Sequence, residues 1–141
     1  MKTQADQCPS APDDQAADLD FDVFVRACPS RPTLEHVTGR WGVLVLGGLH
    51  HGPLRFAALR RRVDGVSEKM LSQTLQTLER DGFVHREASE GFPSRVEYSL
   101  TPLGLRTATL LLDLITHLEA NMTTVVAAQD RYDHERGITD T

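Results

Sequence analysis

Residues 1–19 show no hydrophobic periodicity, whereas farther on, up to about residue 80, apolar residues recur mostly three and four apart, the period of a helix with one buried face. Pro29 and Pro32 break any helix arriving from upstream, so a short helix is predicted over Thr33–Thr38, ended by Gly39. A second helix follows from Arg40 toward His50, and its Trp41, Val43, Leu44, Val45 and Leu46 make it apolar enough to be central. Gly47 and Gly48 each cost that helix about 1 kcal/mol relative to Ala, so close packing is the expected reason for them. After the Gly52-Pro53 turn, Phe56, Leu59 and Val63 predict a short amphipathic helix over Leu54–Arg62, closed by Asp64-Gly65. Ser67 reads as an N-cap with Glu68 in the first turn, and the next helix runs to Arg80 before Asp81-Gly82 stops it. The period then falls to two. Phe83–Arg86 and Arg95–Leu100 read as strands, the second alternating Val96, Tyr98 and Leu100 with Arg95, Glu97 and Ser99, and Glu87–Ser94 is the loop between them. Thr101-Pro102 opens the longest helix, expected over residues 102–126, with a stripe of Leu111, Leu114, Ile115, Leu118, Met122 and Val125.

This order of elements is mainly α with a small β-hairpin, an α+β arrangement in which a helix-turn-helix is followed by a wing and a closing helix. The 141 residues suit one domain. It is expected over residues 21–128, between a disordered acidic leader (residues 1–20) and a flexible tail (residues 129–141). Two cysteines cannot build a disulfide framework, and no Cys-x-x-Cys or His-Glu-x-x-His spacing occurs, which favours reduced thiols in a cytoplasmic protein. The six histidines, His50-His51 included, show no ligand spacing, and no nucleophile elbow or phosphate-binding glycine loop is present. Neither a metal, a cofactor nor an enzymatic activity is expected. No apolar run approaches the ~18 residues that a bilayer requires, so no membrane partner is expected either.

Net charge is -5, but its distribution changes the picture. Residues 1–24 carry -5 and residues 107–141 carry -4, whereas residues 40–106 hold ten Lys/Arg against seven Asp/Glu. The basic middle coincides with the helix-turn-helix and hairpin. On the helix that follows Ser67, steps of 100° gather Leu71, Leu75 and Leu78 in one sector and Lys69, Ser72, Gln73, Gln76 and Arg80 opposite. Those polar types suit a DNA major groove: Gln bonds adenine bidentately, Lys and Arg reach guanine or phosphate, and Ser bonds either. Arg86 and Arg95 flank the hairpin loop and Arg60–Arg62 precede the turn, all placed for phosphate. With Arg55 and Ser67, the expected DNA-contacting set is Arg55, Ser67, Lys69, Ser72, Gln73, Gln76, Arg80, Arg86 and Arg95. A polar helix face left simply in solvent, on a winged helix used only for protein interaction, is the competing reading.

The chain also resembles the HxlR-type branch of the MarR-like winged-helix transcriptional regulators. The resemblance runs from Cys28-Pro29 through Gly39-Arg40-Trp41, Gly52-Pro53-Leu54-Arg55-Phe56, Leu59-Arg60-Arg61 and Val66–Gln73 to Asp81-Gly82, and resumes over Arg95–Gly104. It implies a homodimeric, cytoplasmic bacterial regulator, a repressor or activator, bound to a palindromic operator in double-stranded DNA. The recognition helix would be Ser67–Arg80 and the wing Arg86–Arg95. Thr74 and Gln76 stand where such proteins often carry arginine, and Thr38-Gly39 replaces paired glycines. Some regulators of this type sense oxidants or electrophiles through a cysteine near the start of the domain, the position of Cys28. Arg26, Arg31 and the helix start after it favour a thiolate there, against the alternative of a buried inert thiol, and Cys8 is a candidate resolving partner. A reversible small aromatic ligand in a dimer cleft near Trp41 is the other effector considered. Dimerisation is assigned to Phe21, Phe24, Leu111, Leu114, Ile115, Leu118 and Met122, because the apolar stripe is wider than a thin wing covers.

Overall fold

The computed structural model describes residues 20–91, 93 and 95–137; the acidic leader up to residue 19, with Cys8, and the last four residues lie outside the described residues. Six helices and three strands follow one another as α1 (Ser30–Thr38), α2 (Gly42–Gly48), β1 (Leu54–Arg55), α3 (Phe56–Arg62), α4 (Glu68–Arg80), β2 (Val84–Ser89), β3 (Arg95–Leu100), α5 (Pro102–Ala120) and α6 (Met122–Glu135). The sheet is antiparallel with order β1-β3-β2. This is the winged-helix arrangement expected from the sequence, mainly helical with a β wing.

The core is built where the helical stripes meet. Val45, Leu46 and Leu49 from α2 and its C-cap, Leu59 of α3, Leu71, Leu75 and Leu78 of α4, and Ala108 and Leu111 of α5 form one buried cluster, closed by Val63, Val66, Phe83 and Val84. Each fully buried leucine contributes about 1.5–3 kcal/mol of transfer free energy. Trp41 packs on this cluster and carries the Arg40 guanidinium 4.7 Å above its ring. Gly47 and Gly48 lie close to Leu112 and Leu59, in keeping with packing as their reason.

Several boundaries differ from expectation. Strand β2 runs over Val84–Ser89 rather than Phe83–Arg86, and Glu87–Ser89 are strand rather than loop because Glu97, Val96 and Arg95 of β3 pair with them. Helix α1 begins at Ser30, because Pro32 falls in the first turn, where the missing N–H has no intrahelical partner in any case. Helix α2 begins at Gly42 rather than Arg40. Leu54-Arg55 is a strand rather than the start of a helix: Leu54 pairs with Tyr98 and Arg55 with Glu97, and only Phe56–Arg62 is helical. The closing helix is two helices: Asn121 ends α5 with its N–H on the Leu118 carbonyl and its Nδ2 donating to His117 O at 2.8 Å, and α6 departs at 58°. Helix α6 extends to Glu135, so residues 129–135 are helix and not part of a tail. No single helix among the described residues is long and apolar enough to cross a membrane.

The corner after α4 joins three elements. Gly82, at φ +87°, lets the chain reverse so that its N–H meets Glu79 O at 3.1 Å and the Phe83 N–H meets Leu78 O at 2.9 Å, closing the helix with Phe83 packed in the core. Thr101 caps α5 by accepting from Gly104 N while its hydroxyl donates to Gly82 O at 2.6 Å. The backbones are so close here that a Cβ on Gly104 would collide with the Phe83 carbonyl. Gly104→Ala is therefore expected to destabilise the fold by about 1–3 kcal/mol, read as a lower urea midpoint with an unchanged slope.

Candidate nucleic-acid interface

Helix α4 is oriented from both ends and one side. Ser67 accepts the Met70 N–H at 3.1 Å, the cap expected from the sequence, and Glu68 in the first turn complements the positive end of the helix dipole. Arg60 of α3 braces the preceding turn, its Nε donating to Val66 O at 3.3 Å and its Nη1 lying 3.3 Å from Glu68 Oε1. Arg60 is thus a turn brace rather than an unengaged phosphate ligand. Leu71, Leu75 and Leu78 are fully buried, which leaves Lys69, Ser72, Gln73, Gln76 and Arg80 exposed on the opposite arc.

The wing divides the remaining candidates. In the β2–β3 ladder Arg86 lies opposite Tyr98, on the face that also carries Leu54, and it turns toward α4. Ser72, Leu75, Gln76 and Glu79 of α4 line a hollow of about 330 Å³ with Arg86 and Tyr98. Arg95 opposes Ser89 on the other face, at the base of the wing loop, where its N–H donates to Ser89 Oγ at 3.1 Å. Arg55 shares that outer face with its cross-strand partner Glu97 and with Glu87. The structure therefore brings Ser72, Gln76 and Arg86 together and places Arg55 and Arg95 apart from them.

On its opposite border α4 meets another cation. Gln73, Met70, Thr74 and Thr77 line a second hollow with Arg40 and Trp41. Arg40 is an exposed residue lining the same hollow as Gln73 that sequence reasoning did not assign to this surface; no local signal joins the two, because the turn after α1 and the second turn of α4 are brought together only by tertiary packing. Arg80, at the end of α4, is exposed with Nη1 3.6 Å from Asp81 Oδ1. The whole face combines hydrogen-bonding side chains in the middle of a helix with guanidinium groups on both sides, the chemistry of base edges flanked by phosphates.

Burial of Cys28 matches the alternative of a buried sulfur, but the expectation of reduced thiols does not hold for it. Cys28 is fully buried and carries no free thiol, and its sulfur accepts from Asp22 N at 3.4 Å and Ser30 Oγ at 3.3 Å. Arg31, expected to flank the thiol, has its Nη1 donating to Phe24 O at 3.4 Å. Of the residues assigned to dimerisation, Leu111 belongs to the chain's own core, Ile115 is half-buried, and Leu114, Leu118 and Met122 are about half exposed, with Phe21 similar and Phe24 87% exposed. Leu103 and Leu110 extend the same exposed face of α5.

Comparison with known proteins agrees with this geometry. The family model described as HxlR-like helix-turn-helix matches residues 36–125. The HTH-type transcriptional regulator YtfH of Escherichia coli (strain K12) is 51% identical over 108 residues, 77% of this chain and 86% of that protein. Among solved structures, the transcriptional regulator ytfH from Salmonella typhimurium is similar at TM-score 0.74 and 48% identity over 79% of this chain and 99% of its own. The redox regulator HypR in its oxidized form is similar at TM-score 0.61 and 35% identity over 67% of this chain and 97% of its own.

Proposed function

The chain belongs to the HxlR-like helix-turn-helix family of transcriptional regulators, and from that premise we propose that it represses transcription by binding an inverted-repeat operator as a homodimer. One observation carries the DNA reading: the polar arc of α4 stands opposite a fully buried leucine stripe, with Arg86 of the wing beside it. Helix α4 enters the major groove, Gln73 and Gln76 read base edges, Ser67, Lys69, Ser72 and Arg80 support them, and Arg86, Arg95, Arg55 and Arg40 meet phosphate. Gln73→Ala is expected to cost about 1–3 kcal/mol on the preferred site and to relax specificity there. Arg95→Ala should weaken all duplexes alike and flatten the salt slope by about one. These are read by duplex titrations at several salt concentrations. Absence of duplex binding at low salt would instead favour a protein-interaction module.

The dimer rests on α5. Gly104, Ala108 and Leu111 face the core of the same chain, while Leu103, Leu110, Leu114 and Leu118 form a second apolar row left in solvent and continued by Met122 and Val126. Such a row needs a cover, and a two-fold related copy of itself supplies one. Two α4 helices then sit roughly 34–36 Å apart, one turn of DNA. Sedimentation at micromolar concentration should give a dimer, and Leu114→Glu with Leu118→Glu should give a monomer that loses the full operator.

We further propose that oxidation at Cys28 releases the operator, supported by the similarity to the redox regulator HypR and by the bonded state of the Cys28 sulfur. Two thiols, Cys28 and a second cysteine, would give two electrons and two protons to an oxidant such as a diazene and form one S–S bond. Because Cys28 is buried among the turns of residues 22–31, the bond changes the segment next to the dimer surface. Wild type should leave DNA on oxidation and return with a reductant, and Cys28→Ser should stay bound; Cys8→Ser reports whether Cys8 is the second sulfur. If Cys28→Ser leaves DNA at the same dose, a reversible small aromatic ligand is the better effector.

A further inference from the structure

The last residue of the recognition helix system is held from outside the helix-turn-helix. His36 Nδ1 of α1 lies 2.6 Å from Asp81 Oδ2, the C-cap residue of α4. Asp81 is only 11% exposed at its side chain and His36 is 33% exposed. An ionised carboxylate only accepts, so Nδ1 carries the proton and donates. A carboxylate at a helix C-terminus faces the negative end of the dipole and gains nothing from α4 itself. Arg80 stands off at 3.6 Å and is largely in solvent. The short hydrogen bond from His36 is therefore what keeps the Asp81 side chain tucked against α1.

The consequence concerns rotation. Among the described residues, His36–Asp81 is a side-chain hydrogen bond that ties α1 to the end of α4, while Val37 of α1 and Leu71, Leu75 and Leu78 of α4 share the apolar core. Apolar packing fixes which face of α4 is buried, whereas a hydrogen bond is directional and sets the last few degrees of its rotation. The tips of side chains on a helix lie about 5–6 Å from its axis, so a turn of about 10° moves Gln73 or Gln76 by about 1 Å. That is larger than the range of a good hydrogen bond to a base edge.

We propose that His36 and Asp81 are positioning residues that set the rotation of α4, and thereby its discrimination between base sequences. This rests on the reading of α4 as the recognition helix. The probe is the duplex that the wild-type protein selects from a random library, compared with single-base variants of it and with an unselected duplex at low salt. His36→Leu should narrow the ratio between selected and substituted duplex about tenfold, with little change on the unselected duplex. His36→Asn, whose amide nitrogen takes the place of Nδ1, should recover most of that ratio. Adding Asp81→Asn to His36→Leu should cost little more, because the contact is already gone. Should His36→Leu not fold, His36→Gln, with its amide one bond further out, makes the same comparison. A lowered melting temperature with an unchanged ratio overturns the proposal and leaves the pair as a stabilising contact only. If wild type selects no sequence and binds no duplex, the recognition-helix reading fails, and this proposal with it.

Discussion

A row of three leucines on α4, spaced four and three apart, is the constraint on which the surface depends. Burying Leu71, Leu75 and Leu78 in one cluster with Val45, Leu46, Leu59, Phe83 and Val84 fixes the inward face of the helix and turns Lys69, Ser72, Gln73, Gln76 and Arg80 outward. Truncating a leucine of such a row costs about 2–5 kcal/mol, far more than any one contact of the exposed arc contributes. The core therefore decides which face of α4 is turned outward. The Ser67 cap and the Arg60 brace fix the beginning of the helix, and the Gly82 turn fixes its end.

The corner from Asp81 to Phe83 is where α4, the β2–β3 hairpin and α5 are made one unit. Asp81 reaches α1, the Phe83 N–H closes α4, the Gly82 and Phe83 carbonyls accept from Thr101, and α5 begins so close that Gly104 has no room for a side chain. Displacement of α5, or of the segment before α1, reaches α4 through backbone contacts that have little slack. This is a physical route by which an event at the amino-terminal segment or along the exposed row of α5 would alter the polar face of α4.

Much of this was readable in the sequence because the signals are local. The Ser67 cap, the leucine spacing and the Asp81-Gly82 stop lie within one helix, and the alternation of Val96, Tyr98 and Leu100 lies within one strand, so α4 and β3 were legible with their boundaries. The leucine row also told which face of α4 would be exposed. The resemblance over Cys28–Gly104 added the order of assembly to what periodicity supplies.

Tertiary structure decided what depends on distant partners. Leu54-Arg55 is a strand because β3 offers it Tyr98 and Glu97, and two residues carry no period of their own. Arg86 and Arg95 look alike from either side of a loop, and only the register sends one toward α4 and the other to the outer face. Leu111 and Leu114 lie in one apolar stripe, yet α2 covers the first and leaves the second in solvent. Arg40 beside Gln73, and His36 beneath Asp81, are pairs that only the packing of α1 and α2 against α4 creates. Composition and spacing along the chain determined which helices form and which of their faces are apolar; which neighbour covers each face, and so which charges meet, is set by contacts between segments that share no local signal.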